Sequence, residues 1–345
     1  MIKRLLWTPL ILWLLASSAL ALDGTLVVAN RAGGSISLID LETRLEVARL
    51  PVGPIIPHEV AVSPDGRFAL TGEYGPEDDH GRHVILIDIV NASIVGRVDL
   101  GPNSRPHTAI FHPDGQRALA TMQDSDLIAL IDLSAMAVIR TYPTGGREGH
   151  MMRVSPDGSR AYVTSRLGEG TLSVIFLDED RPPVVIPTGP GAEGISVSPD
   201  GGEVWVANRQ EEAISVVDTG ALEVVARIDS NPFAGRVEIS PDGQFAVAPN
   251  GGGGGQPVQQ LLRLFDVEAR EIVTEIPLRS DGEPGTGNFG VLMHDGYAIV
   301  SEPGQGAIRL FELDKFGESD PDVLVSAHEA PDGLAWSPLR VDVMR

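Results

Sequence analysis

One short sequence recurs seven times and constrains the fold more than any other feature. In its clearest copy, residues 57–66, alternating apolar residues lead into the turn Ser-Pro-Asp-Gly. Proline presets the backbone of such a turn, aspartate bonds to the nearby backbone, and glycine takes the left-handed position. The turns begin at Ser63, His112, Ser155, Ser198, Ser240, Met293 and Ser337, in steps of 49, 43, 43, 42, 53 and 44 residues. This period is typical of a β-propeller blade.

A second landmark, an alternating apolar strand that ends in an acidic residue, also occurs seven times. These strands are residues 36–40, 84–88, 128–132, 172–178, 214–218, 262–266 and 308–312. Between the landmarks lies a further strand, and a fourth follows the acid, so the pattern predicts four-stranded blades without a substantial helix. Residues 25–30 read as a second strand, whereas residues 333–337 read as a first strand. Their pairing would complete a seventh blade and close the ring.

The repeat resembles the YVTN-type β-propeller family. The resemblance rests on Ala-Val-Ser-Pro-Asp-Gly, on Tyr162-Val163-Thr164 or Trp205-Val206-Ala207-Asn208, and on Ser-Val-Val followed by Asp218. It covers nearly all of residues 22–345 and implies a seven-bladed, all-β propeller. Propellers of this kind serve as surface proteins, lactone hydrolases, metal- or cofactor-handling factors and interaction modules, so the resemblance implies a fold more than a function.

The first 21 residues have the pattern of a secretory signal peptide. Lys3 and Arg4 precede an apolar stretch, residues 5–15, and Ala19-Leu20-Ala21 forms a small-x-small cleavage site. We expect a single propeller domain, residues 22–345, in the periplasm or secreted, with no membrane attachment after cleavage. An uncleaved membrane anchor is the alternative.

Charge and cysteine content exclude several classes of function. The whole chain has a formal net charge of −22, and without Lys3 and Arg4 the 24 basic and 48 acidic residues leave −24. Such a chain repels nucleic acid and anionic lipid. Because there is no cysteine, disulfides, thiolate metal sites and cysteine nucleophiles are excluded.

Aligning the starts of the first strands predicts a candidate site at one mouth of the channel. Blade by blade, the aligned residues are His58, His107, His150, Glu193, Gly235, Asn288 and Asp332. Imidazoles with one carboxylate suit Zn²⁺, Cu²⁺ or Fe²⁺, so His58, His107, His150 and Glu193 are the predicted ligands of a metal, zinc or copper above all. Histidines that only hydrogen-bond a neighbouring blade, or a mouth that binds an organic ligand, are the alternatives.

Other polar residues could join the same mouth. The insertion in the first blade carries Glu77, Asp78, Asp79, His80 and His83, for which a solvated acidic loop is the alternative to a metal site. Arg31, Arg166 and Arg209 follow second strands and could hold a carboxylate or phosphate, or pair with surface acids. His328 lies in the loop that enters the last blade. His112 and His294 lie in turns at the other end of the first strands and are interpreted as structural.

Three functions stay open from the sequence. The first is a metallochaperone-like binding protein with a metal or small ligand at the mouth. The second is a lactonase-like hydrolase in which Glu193 or Asp332 acts as general base. The third is an interaction platform for a periplasmic protein partner, without chemistry. Because a closed ring leaves no free sheet edge, we expect a monomer.

Overall fold

The computed structural model of the protein describes residues 22–53, 56–76, 78–230, 233–250, 259–278, 289–318, 321–324 and 330–342. Across these residues the chain forms β-strands and two 3-10 turns, Gln123–Ser125 and Leu313–Lys315, with no α-helix. No helix among them is long and apolar enough to cross a membrane. The predicted signal peptide lies outside the described residues.

The strands follow one another with short connections. In chain order they are β1 (Thr25–Asn30), β2 (Ser35–Asp40), β3 (Leu45–Pro51), β4 (Pro57–Val62), β5 (Phe68–Glu73), β6 (His83–Asp88), β7 (Ser93–Asp99), β8 (Ala109–Phe111), β9 (Arg117–Met122), β10 (Leu127–Asp132), β11 (Ala137–Pro143), β12 (Gly149–Val154), β13 (Arg160–Ser165), β14 (Thr171–Phe176), β15 (Val184–Pro187), β16 (Ala192–Val197), β17 (Glu203–Asn208), β18 (Ala213–Asp218), β19 (Glu223–Asp229), β20 (Glu238–Ile239), β21 (Phe245–Pro249), β22 (Leu261–Asp266), β23 (Glu271–Pro277), β24 (Val291–His294), β25 (Tyr297–Glu302), β26 (Ala307–Glu312), β27 (Asp322–Val323) and β28 (Pro331–Ser337).

Seven four-stranded antiparallel sheets form the predicted propeller. Blades one to six each use four consecutive strands, β4–β7, β8–β11, β12–β15, β16–β19, β20–β23 and β24–β27. Blade seven has the strand order β28-β1-β2-β3, and Thr25 of β1 lies opposite Ser337 of β28. The prediction that the two ends of the chain share one blade is therefore confirmed.

The repeated turn is built as its sequence predicts. In the first copy the Ser63 hydroxyl donates to the Asp65 carboxylate at 2.6 Å and accepts the Phe68 amide at 2.9 Å. Asp65 also accepts the amide of Arg67, and Gly66 has a φ of +77°. A residue with a β-carbon would be strained at that φ, which explains the glycine.

The core of the molecule lies between neighbouring blades. Among the described residues, each of the seven blade interfaces holds its own buried apolar cluster. Successive residues of a strand face opposite sides of the sheet. Ala69 therefore packs towards blade seven, while Leu70 packs towards blade two. This alternation holds the blades in a ring and leaves the first strand of each blade to line the central channel.

Candidate functional site

The residues that the sequence aligns at the starts of the first strands meet at one end of the channel. His58, His150, Glu193 and Asp332 are each the second residue of their strand, in β4, β12, β16 and β28. His107 lies two residues before β8. All five are more than nine-tenths buried.

A bulge directs four of these side chains. The pairing of the first with the second strand shifts register at Pro57/Val60, Gly149/Met152, Ala192/Gly194 and Pro331/Leu334. Each shift brackets one of the four site residues. A β-bulge bends its strand and re-aims a side chain that would otherwise follow the alternation of the sheet. The same irregularity, repeated in four blades, brings the four side chains to one place.

Side-chain hydroxyls on the second strands hold these bulges across blade interfaces. The Thr164 hydroxyl accepts the Met151 amide at 3.2 Å and donates to the Glu193 carbonyl of the next blade at 2.7 Å. Ser301 does the same for the Gly290 amide at 2.7 Å and the Asp332 carbonyl at 2.8 Å. The backbone that carries each acid is thus tied to the preceding blade.

The three histidine rings lie in one row, with each neighbouring pair tilted by 41°, and this row is here called the histidine stack. His107 lies between the other two, with centroid distances of 4.3 Å to His58 and 3.7 Å to His150. The Tyr74 ring meets both His58 and His107 edge-on. Nε2 of His107 is buried and has no hydrogen-bond partner among the described residues. A buried polar atom without a partner costs free energy, so this nitrogen has spare capacity for a ligand.

Three carboxylates and one buried arginine surround the stack. Nδ1 of His58 lies 3.1 Å from the Asp332 carboxylate and 3.4 Å from that of Glu59. Nε2 of His150 lies 3.8 Å from Glu193. The Arg236 guanidinium donates to Glu59 and lies 3.8 Å from Glu193 and 3.9 Å from Asp332. Its charge is therefore shared among three acids.

Burial keeps the imidazoles of His107 and His150 neutral. It lowers the pKa of His107 well below the ordinary value, and the neighbouring His150 and His58 add to this effect. Burial also lowers the pKa of His150 to about 3, against the opposing effect of Glu193. A neutral imidazole keeps a lone pair that can bind a metal. The electrostatics thus leave these rings in the protonation state that a metal requires.

The carboxylates divide into two kinds. Burial raises the pKa of Glu59, but Arg236 and His58 outweigh it and hold that pKa at about 2. For Glu193, burial is likewise outweighed, by His150, Arg209 and Arg236, so its pKa lies well below the usual range. Burial raises the pKa of Asp332 despite His58 and Arg236. Glu59 and Glu193 are therefore ionised near neutral pH.

Among the described residues, one group of side chains has the compactness of a metal site. Ligand atoms of His58, Glu59 and His107 all lie within 4.8 Å of one another. His150 stacks on this group and Glu193 lies beyond it. The predicted set of three histidines and Glu193 is thus brought into one cluster, in which Glu59 is the carboxylate grouped with the first two histidines.

The other predicted residues lie around this cluster and pair with acids. Arg31 lies 4.0 Å from Asp332, and Arg209 lies 3.2 Å from Glu193. Arg166 contacts Glu148 at 2.6 Å. Nδ1 of His80 lies 2.5 Å from the Asp124 carboxylate, and Nδ1 of His83 lies 2.7 Å from the Glu73 carboxylate.

Glu59 and Arg236 were not selected from the sequence, although a signal for both was present. Glu59 directly follows His58, and Arg236 directly follows Gly235, which occupies the aligned position without a side chain. Where the strand start is irregular, the next residue can also reach the channel. The aligned Asn288, Glu77 of the acidic insertion and His328 lie outside the described residues.

Comparisons with known proteins support the fold and give no family. No protein-family model matches the chain, and no curated protein matches it in sequence. The chain is structurally similar to Kuenenia stuttgartiensis hydrazine synthase, at 20% identity and a TM-score of 0.66, over 75% of this chain and 77% of the other. It is also similar to a functionally unknown protein from Desulfotomaculum acetoxidans DSM 771, at 15% identity and a TM-score of 0.73, over 93% and 100%. At these identities the likeness concerns the propeller fold, and membership of the YVTN family stays a prediction.

Proposed function

We propose that this protein is an exported binding protein that holds a transition metal ion, zinc or copper, at the histidine end of its channel. His58, Glu59 and His107 would supply the first ligands, and His150, whose ring lies 3.7 Å from that of His107, would join them after a small shift. The proposal rests mainly on one observation, the convergence of ligand atoms of these three residues within 4.8 Å.

The chemistry of the group favours a borderline transition metal over a hard cation. Imidazole nitrogen with a single carboxylate is the ligand set of zinc and copper sites, whereas calcium and magnesium prefer oxygen donors. The unpartnered Nε2 of His107 supports the proposal, because a metal would satisfy a buried atom that otherwise lacks a partner. The signal-like first 21 residues are the basis for export.

A lactonase-like hydrolase receives less support from the same geometry. Glu193 pairs with Arg209, and its pKa is low, so it accepts a proton poorly. Asp332 has a raised pKa but is almost completely buried beside His58. Neither acid has the combination of basicity and access that a general base needs. An interaction platform without chemistry is the outcome if no ligand binds.

Metal content and metal titration test the proposal. The purified protein is analysed for zinc and copper and is then titrated with each metal after chelation. We expect near-stoichiometric binding. The decisive variant is His107→Phe, because a phenyl ring preserves the stack between His58 and His150 but has no ligand nitrogen. Loss of a residue that only supports a metal ligand lowers metal affinity by roughly 10- to 100-fold. Loss of a ligand itself should therefore weaken metal binding by more than about 100-fold.

The control removes a histidine at the other face of the propeller. Nε2 of His112 contacts the Gly158 carbonyl at 2.9 Å, far from the stack, so His112→Gln should leave metal binding unchanged. Circular dichroism of each variant checks that the fold persists. Equal metal binding by the folded His107→Phe variant and the parent, or no binding by the parent, would refute the proposed site.

A further inference from the structure

The other end of the channel contains a cavity that meets the proposed metal site only at Glu59. The first strands enclose about 860 Å³ there, within the size range of small-molecule sites. Exposed prolines of the repeated turns form its rim, at Pro64, Pro113, Pro156 and Pro241. The cavity therefore opens to solvent on the face opposite the histidines.

Apolar side chains form much of the cavity wall. Ile110, Leu292 and Leu334 line it, and Trp336 lies towards the rim. The Trp336 ring stacks on His294 at a centroid distance of 3.8 Å, and its indole nitrogen donates to the Asp23 carbonyl at 2.8 Å. The indole is thus fixed in orientation and offers a rigid surface to an aliphatic molecule.

Two ion pairs form the inner end of the cavity. Arg236 of blade five pairs with Glu59 of blade one, and Arg153 of blade three pairs with Glu238 of blade five at 3.1 Å. Each pair joins blades that are not neighbours, so the pairs cross the channel. They separate the cavity from the histidine stack and give an apolar cavity a charged end.

Arg153 is the most accessible charge at this inner end. Its side chain is 32% exposed, compared with 20% for Glu238, 13% for Glu59 and 5% for Arg236. The guanidinium has five N–H donors, and its hydrogen bonds to the Met152 carbonyl and to Glu238 use two of them. Both acids already have an arginine partner.

We propose that this cavity binds an amphiphilic anion, a small molecule with an aliphatic body and a terminal carboxylate. The body would lie along the apolar wall, and the carboxylate would meet Arg153, whose planar guanidinium suits a carboxylate. The volume admits a medium-length aliphatic chain. This site shares Glu59 with the proposed metal site, but the residue that would bind the carboxylate, Arg153, is not among the proposed metal ligands.

Fluorescence offers a direct measurement. Outside residues 1–21 the chain has two tryptophans, Trp205 and Trp336. Trp205 is fully buried between blades four and five, whereas Trp336 lies in the cavity wall. Titration with octanoate, octanol and octylammonium compares an anion, a neutral molecule and a cation of equal chain length. We expect octanoate to change the emission and to bind about tenfold more tightly than octanol, as one charged hydrogen bond provides. Equal affinity for all three, tighter binding of octylammonium, or no binding would overturn the proposal.

Two variants test the two parts of the cavity. The double change Arg153→Gln and Glu238→Gln replaces the ion pair by amides that can bond to each other, so the preference for octanoate over octanol should disappear. Ala61→Phe fills the apolar part and should abolish binding of both ligands. Arg140→Gln, on the outermost strand of blade two, is the control and should change neither.

The result also separates this proposal from the metal site. Ala61 lines the cavity and is absent from the ligand cluster, so Ala61→Phe should leave metal content unchanged. A preference for octanoate that persists in the double variant, or full octanoate binding in Ala61→Phe, would overturn the assignment. Metal binding can fail without affecting either outcome.

Discussion

Arg236 illustrates how a single side chain organises the site from the middle of the channel. It is almost fully buried and lies within 4 Å of Glu59, Glu193 and Asp332, acids from three different blades. Removing one partner of a buried charge cluster leaves the others uncompensated. The Arg236 guanidinium also helps to lower the pKa of His107 and of His150, so these two imidazoles remain neutral beside the acids.

The aspartates of the repeated turns make a prediction about acid stability. The Ser155 hydroxyl and the Ser159 amide bond to the Asp157 carboxylate and lower its pKa to about 2 from 3.8. A lowered pKa means that the folded state favours the ionised form. The resulting stability is present above about pH 4 and is lost as the pH falls towards 2. Four further turn aspartates have lowered pKa values, at Asp65, Asp114, Asp200 and Asp242.

Asp157→Asn should therefore lower the melting temperature slightly near pH 7, by roughly 1–2 °C, because an amide bonds less strongly than a carboxylate. The difference from the parent should shrink between pH 4 and pH 2. Thermal unfolding followed by circular dichroism across this range measures it. Asp180→Asn, at an exposed ion pair with Arg140, serves as control. A difference that stays constant down to pH 2 would contradict the assignment.

At the scale of single residues the sequence predicted the turns, because they repeat in every copy. It also predicted the aligned histidines, because they lie at a fixed position in the repeat. It did not single out Glu59 and Arg236. In a regular strand only every second residue faces the channel, and a bulge changes which residues do so. Only the geometry of the bulge shows that two adjacent residues, His58 and Glu59, reach the same cluster.

The first strands of neighbouring blades pack closely around the channel and still carry large polar side chains. Gly194 follows Glu193 in β16 and faces blade five, where an added β-carbon would lie 2.6 Å from the Arg236 α-carbon and 2.8 Å from the Gly235 carbonyl. Real β-carbons do not approach backbone so closely, so glycine at this position lets blades four and five meet.

Gly194→Ala should force these strands apart. Overpacking of this kind costs about 1–3 kcal/mol of unfolding free energy, and it should also weaken metal binding if the proposed cluster depends on Arg236. Unfolding in guanidinium chloride measures the first effect. The control is Gly202→Ala, whose β-carbon would have as its three nearest atoms only those of the Asp200 carboxyl group, at 3.3 Å or more. Equal stability of the two variants would show that the blades can separate without cost.

The existence and order of the strands could be predicted, whereas the register shifts could not. Alternating apolar residues and Ser-Pro-Asp-Gly turns define each strand locally. A bulge depends on hydrogen bonds across a blade interface, such as the one that the Thr164 hydroxyl donates to the Glu193 carbonyl. That contact joins residues 29 positions apart in different repeats, and no local pattern indicates it.

The whole molecule depends on closure of its ring. Two strands from opposite ends of the chain, β1 and β28, pair along Thr25–Val28 and Asn30, and the interface with blade six buries Leu26 and Val28. The seven-fold repeat and its offset ends predicted this closure. The cavity was not predicted, because it depends on the size of side chains such as Ala61 that no repeat rule specifies.

A chain truncated after Ala330 should fail to form a stable monomer. Without β28, the paired edge of β1 is exposed, and an open sheet edge promotes association with other chains. We expect aggregation in size-exclusion chromatography and loss of a single cooperative unfolding transition. A peptide of residues 331–345 added in excess should restore part of the monomer. A chain that lacks only residues 343–345 is the control, and monomeric behaviour of the longer truncation would disprove the dependence on closure.

The shared blade also means that two paired strands, β1 and β28, are synthesised at widely separated times. Strand β1 leaves the ribosome about 310 residues before its partner, which at roughly 5–20 residues per second is an interval of about 15–60 s. Until β28 has been made, β1 lacks the strand that covers its edge, whereas every strand of blades one to six precedes β28 in the chain. The yield of folded protein should therefore depend on whatever shields that edge in the cell, and should fall as the number of ribosomes translating the same message rises.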